Sequence, residues 1–187
     1  MRRGRGQGEE AMRGIPWILP FALLATGSAQ AAATVTFVQP QAFTDADLHG
    51  RRPPRPDSPA LAGIRRHLER LGRRLPGDQV LRIEILDVDL AGTVEPWRPA
   101  ASAVRHLTPA SWPRIRLRYV LEQGGQPILH GEDTLLDRFY LQRSTAVLST
   151  DPLRFEQALL SDWFDRRFPA VRGAGGPGGV PAGPDRR

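Results

Sequence analysis

Arg114-Ile115-Arg116-Leu117-Arg118-Tyr119-Val120-Leu121 alternates charged and apolar side chains along a short, turn-bounded run. In a β-strand successive side chains point to opposite faces, so Ile115, Leu117, Tyr119 and Leu121 share one face and Arg114, Arg116 and Arg118 the other. A strand with one wet face belongs to an antiparallel sheet covered by helices on one side only, because a parallel sheet between two helix layers is apolar on both faces. That single stretch sets the expected class as α+β.

Working outward, Gly124-Gly125 supplies the positive φ that a tight hairpin turn demands, and Pro127 to Leu136 returns as a weaker strand broken at Gly131. Upstream, Val80 to Leu90 is a strand whose apolar parity slips. Leu81, Ile83 and Ile85 alternate with Arg82 and Glu84; then Leu86, Val88 and Leu90 become the apolar set, with Asp87 and Asp89 between them. A period-2 pattern that shifts by one residue predicts a bulge or a strong twist. Thr34 to Val38 is a short β-branched and aromatic strand ended by Pro40, and residues 49–57 form a Pro- and Arg-rich loop.

Two helices complete the pattern. Ser58-Pro59 opens the first, with Ser as N-cap and Pro at the first helical position. Leu61, Ile64, Leu68, Leu71 and Leu75 follow at spacings of 3, 4, 3 and 4, one apolar stripe, and Pro76-Gly77-Asp78 stops it. Arg65, Arg66, Glu69, Arg70 and Arg73 make the other side a solvated face. The second helix is expected to open at Asp151-Pro152, with Asp151 as N-cap, and to present Phe155, Leu159, Leu160, Trp163, Phe164 and Phe168 before Pro169 ends it. The expected fold is an antiparallel sheet of about four strands with two amphipathic helices on one face, in the order β-α-β-β-β-α.

The N-terminus carries an export signal. Arg2, Arg3, Arg5 and Arg13 are followed by an apolar run from Ile15 to Ala25 and by Ala29-Gln30-Ala31. A basic region, a short apolar region and an Ala-x-Ala site are the three parts of a cleavable signal peptide, and the run is far short of the roughly 20 residues of a membrane span. Residues 1–31 are therefore assigned as signal peptide. Glu9 and Glu10 are out of place in a basic region, and Met12 leads straight into the apolar run, so Met12 is the expected true start. Residues 32–170 are one α+β domain, and the Gly- and Pro-rich residues 171–187 are expected to be disordered.

Composition narrows the function. All 26 basic residues are Arg, and cysteine is absent. Without Cys there are no disulfides, no zinc thiolate site, no thiol nucleophile and no lipidated cysteine after the signal. Between Thr34 and Pro169 there are 19 Arg against 17 Asp and Glu. The high isoelectric point thus reflects the extreme basicity of Arg rather than a basic domain, and no nucleic-acid partner is implied.

Four blocks carry a family resemblance: Asp87-Val-Asp-Leu-Ala-Gly92, Trp112-Pro-Arg-Ile115, Leu136-Asp-Arg-Phe-Tyr140, and Phe155-Glu156 through Asp162-Trp-Phe164. In this order they resemble the exported proteobacterial proteins of domain of unknown function 3016. The resemblance spans roughly Thr34 to Phe168. It implies one domain behind a signal peptide and transfers no catalytic residues. Arg138 stands where the family pattern has a Met-like residue.

Candidate chemistry is sparse. His49, His67, His106 and His130 are scattered and make no His-Glu-x-x-His pair, and neither a Gly-x-Ser-x-Gly elbow nor a phosphate loop is present. Three groups stand out. Asp87 and Asp89 share a strand face and repel unless neutralised; with Glu95 they have the oxygen chemistry of a Ca²⁺ site. Pairing with Arg105, Arg114 or Arg116 is the alternative. Arg114, Arg116 and Arg118 stand about 6.6 Å apart and, with Arg82 on a neighbouring strand, form a ladder suited to phosphates or carboxylates. The alternative is cross-strand pairing with Glu84, Glu122 and Glu132. Trp97 and Trp112, beside prolines in loops, suit either a groove for sugar or peptide or the closed end of a core. Trp163 belongs to the core.

The sequence reads as a non-catalytic binding or structural module of the periplasm. It is not a lipoprotein and keeps no membrane span after signal removal. Its partner is an envelope component or protein, and it has no cofactor. The rival is a metal-binding or hydrolytic envelope protein using Asp87, Asp89 and Glu95.

Overall fold

The computed structural model describes residues 32–95 and 104–169. The signal-peptide assignment, the Met12 start, Trp97 and the expected disorder of residues 171–187 lie outside the described residues.

The expected α+β class is found. The strands are β1 (Ala33–Phe37), β2 (Gln79–Asp89), β3 (Arg114–Gln123) and β4 (Gln126–Leu136), and the helices are α1 (Pro59–Gly72), a single turn α2 (Ser144–Val147) and α3 (Arg154–Arg167). The sheet runs β1-β2-β3-β4 in sequence order. β2, β3 and β4 are antiparallel neighbours, whereas β1 lies parallel to β2. This edge refines the all-antiparallel expectation. α1 lies between β1 and β2 in the chain and carries it back to the same end of the sheet, so the two strands enter in the same direction. Alternation in β1 fixes which face is buried but says nothing of the direction of its neighbour.

The parity slip in β2 is a bulge. Ile85 pairs with Leu117 and Asp87 with Arg116, leaving Leu86 unpaired. Leu81, Ile83 and Ile85 before it, and Val88 and Leu90 after it, all point into the core. The β3–β4 turn has Gly124 at φ 56 and Gly125 at φ 80, two consecutive positive values that favour glycine. β4 is not interrupted at Gly131. There a Cβ would lie 2.6 Å from the hydroxyl of Tyr119, so the missing side chain makes room for that ring.

α1 and α3 pack against each other and against the inner sheet face. Ile64 and Leu68 of α1, Ile115 and Leu117 of β3, and Leu160 and Phe164 of α3 are among its fully enclosed residues. Fully burying one such side chain contributes about 1.5–3 kcal/mol, so this layer supplies most of the driving force for folding. Ser58 caps α1 by accepting the Leu61 N–H at 3.3 Å, and its hydroxyl donates to the Ala46 carbonyl at 2.9 Å.

The start of α3 differs from expectation. Asp151 does not cap the helix, which begins at Arg154. It closes the preceding turn instead, accepting from the Leu153 N–H at 2.8 Å and from the Gln157 side chain at 3.0 Å. The Asp-Pro pair is a helix signal in sequence, but the chain needs one more turn to bring Leu153 into the core. A second small cluster at the loop end of the sheet joins Ala91, Tyr140, Ala146 and Phe155.

Candidate functional site

The outer sheet face carries the arginine ladder. Arg82 donates to Glu122 through Nε at 2.9 Å and Nη2 at 3.3 Å. Arg118 spans two strands, reaching Glu84 and Glu132 at 3.2 Å each. Arg114 Nη2 lies 3.6 Å from both Asp87 Oδ2 and Asp89 Oδ2. Arg116 is exposed opposite Asp87 and Thr134 and makes no ion pair among the described residues. Cross-strand register thus places a carboxylate beside most of these guanidinium groups. Water screens such exposed pairs, so they add little net stability.

The acidic pair is also engaged. Asp87 accepts the Thr44 backbone N–H at 2.8 Å and its hydroxyl at 2.9 Å, which ties the segment after β1 to the bulged end of β2. Asp89 sits beside it, and burial raises its pKa against the opposing pull of Arg114. Glu95 is not gathered with these two: among the described residues no group of three or more His, Asp or Glu could hold a metal ion. Trp112 is half-buried with the Arg138 guanidinium 5.4 Å over its ring. With Asp45, Asp89, Ser111 and Arg114 it lines an opening of about 310 Å³.

The most developed polar feature is one the sequence does not announce. Arg105 enters the loop end of the sheet and donates to five acceptors. Nε reaches the Ala91 carbonyl at 2.9 Å and Nη1 the Asp47 carbonyl at 3.1 Å. Nη2 reaches Asp45 Oδ2 at 2.8 Å and the carbonyls of Leu90 and Gly92 at 3.2 and 2.7 Å. Asp45 and Asp47 are buried. Next to them Glu156, 1% exposed, accepts the Ala91 N–H at 2.7 Å. Burial raises the pKa of Glu156; Ala91, Arg105 and Arg154 pull the other way. One signal for it exists: Glu156 falls three and four residues before Leu159 and Leu160, a charged position on an apolar helix face. Arg105 has no such signature.

Beside Arg105 opens a cavity of about 330 Å³. Leu48, Ala91, Leu107 and Phe155 give it apolar walls, and Arg105, Arg154 and His49 are its ionisable lining residues. The site combines a rigid guanidinium anchor, a second arginine and an apolar floor. Among its described lining residues there is no paired carboxylate and no nucleophile beside a base.

A sequence profile of proteins of unknown function, DUF3016, matches residues 31–166. The chain belongs to this family. The match covers every described strand and nearly all of α3, so the DUF3016 unit and the α+β domain coincide. No curated protein and no solved structure matches the chain.

Proposed function

We propose that the protein is a non-catalytic binding module of the cell envelope, delivered to the periplasm by the signal peptide at residues 1–31. The observation that carries this reading is the cavity beside Arg105, where apolar walls meet two arginines with no carboxylate or nucleophile among the described lining residues. Sites of this kind, a few hundred Å³ with apolar walls and a small number of placed polar groups, are the usual form of small-molecule sites. The expected cleavage point after Ala31 is compatible with the sheet. The Ala32 carbonyl accepts the Leu81 N–H at 2.9 Å, so the first residue after the expected cleavage point is already used by the sheet. No helix among the described residues is long and apolar enough to cross a membrane. A nucleic-acid partner is not part of this reading, given the near balance of Arg and acidic residues.

The rival, a metal-binding or hydrolytic protein using Asp87, Asp89 and Glu95, is weakened by the pairing of the first two with Thr44 and Arg114. No resident cofactor is proposed. The test is a photo-crosslinking residue placed at Val104, at the cavity, with a control at exposed Arg66 on α1. In intact cells the Val104 position is expected to capture an envelope component of reproducible mass and the Arg66 position not to. Identical adducts at both positions, or a melting temperature raised by Ca²⁺ and lost in Asp89→Asn, would overturn the reading.

A further inference from the structure

We propose that the cavity beside Arg105 takes a small amphipathic carboxylate, a single anionic head on an apolar body, with Arg154 as the residue that binds the head. This rests on the binding-module reading and names its ligand class.

Charge sets the sign of the ligand. Arg105, Arg154 and His49 line the cavity, and among the described residues no Asp or Glu does. Walls of Leu48, Leu107 and Phe155 then require an apolar body. A fully hydrated sugar or a bare inorganic ion leaves those walls without a partner.

The two arginines differ in what they have left to give. All three nitrogens of Arg105 are used within the protein, and Asp45 neutralises its charge. Arg105 is therefore a fixed strut that shapes the cavity. Arg154 donates through Nη1 to the Asp151 carbonyl at 3.1 Å, while its Nε is buried without an acceptor among the described residues. A buried donor left unpaired keeps its desolvation cost, and a carboxylate oxygen is a strong, charge-assisted acceptor able to relieve it. The guanidinium also lies 4.6 Å over the Phe155 ring, which holds it at the junction of the polar and apolar walls. An anionic head at Arg154 places an attached chain along Phe155 and Leu107.

The test uses the domain without its signal peptide and two probes of equal chain length, decanoate and decanol, in calorimetric titration. Decanoate is expected to bind at one site, roughly ten- to hundred-fold more tightly than decanol, the worth of a charge-assisted hydrogen bond. Arg154→Gln is expected to abolish that preference while leaving the melting temperature within a degree or so of wild type. Leu107→Trp, which fills the cavity, is expected to abolish binding of both probes. Equal binding of the two probes, an unchanged preference in Arg154→Gln, or no binding of decanoate overturns the ligand class. If decanoate fails while the Val104 crosslinker still captures an envelope component, the ligand class is wrong and the binding module stands; if both fail, the module reading falls with it.

Discussion

Arg105 and Arg118 make the same kind of contact in two different dielectric settings, and the difference decides what each is worth. The Arg105–Asp45 pair is about nine-tenths enclosed, and removing one partner strands a buried charge and several carbonyls. Arg105→Ala is expected to cost about 3–5 kcal/mol in urea unfolding, against at most about 1 kcal/mol for Arg118→Ala on the exposed face. Equal effects would show that the Arg105 network is hydrated. His67 supplies a pH dependence. Arg70 Nη2 lies 3.0 Å from its Nδ1, and arginine only donates, so Nδ1 is the acceptor and Nε2–H faces Ser161 Oγ at 2.9 Å. Burial, and then the Arg70 charge, lower its pKa to about 4. Between pH 6.5 and about 4 the unfolded chain binds a proton that the folded one refuses. Stability is therefore full above pH 6.5 and falls on acidification, by at most about 3 kcal/mol. His67→Gln is expected to flatten that acid limb in melting curves recorded across this range.

The segment signals in the sequence are uneven from element to element, and the reasons are local. β2 and β3 are legible because burial on one face imposes alternation, and the bulge at Leu86 is legible because a one-residue slip changes the parity of every later side chain. α1 is legible from its stripe and its Ser58 cap. The start of α3 and the single turn α2 are not, because Asp151 serves a turn as readily as a helix and four residues are too few to show a period. Gly72, the last residue of α1, shows what packing adds. A Cβ there would lie 2.3 Å from Ala33 Cβ and 3.0 Å from the Ala33 backbone nitrogen, so only glycine lets α1 approach β1 this closely. In an exposed helix Gly→Ala stabilises by about 1 kcal/mol. Gly72→Ala is expected to destabilise by about 1–3 kcal/mol instead, measured by urea unfolding. A variant more stable than wild type would mean that helix and strand separate without cost.

At the scale of the whole molecule, the proposed cleavage point after Ala31 lies next to the first strand, β1 (Ala33–Phe37). A chain cut after Ala31 would keep both the hydrogen bond of the Ala32 carbonyl with Leu81 and the burial of Ala33 in the core. If the proposed export holds, mass spectrometry of the processed protein is expected to give an N-terminus at Ala32, and unprocessed precursor one at Met12. A precursor beginning at Met1 contradicts the second expectation, and a mature chain beginning beyond Val35 contradicts the first by removing most of β1. The candidate site is also a property of the whole. It draws Leu48 from the loop after β1, Ala91 from the end of β2, Leu107 from the segment before β3 and Phe155 from α3.

What the sequence determined by itself is the four strands, the two long helices and the face each one buries. Those follow from periodic burial, and a period is visible within a dozen residues. The tertiary structure alone decided that β1 runs parallel to β2, that Arg114 spans Asp87 and Asp89, and that a cavity opens between Arg105 and Arg154. The acceptors of Arg105 stand between 13 and 60 residues from it, and Glu156 reaches across 65 residues to Ala91. Charge pairing has no period. An arginine bound for a buried network and one bound for solvent look alike in sequence, and only the folded chain brings the acceptors that tell them apart.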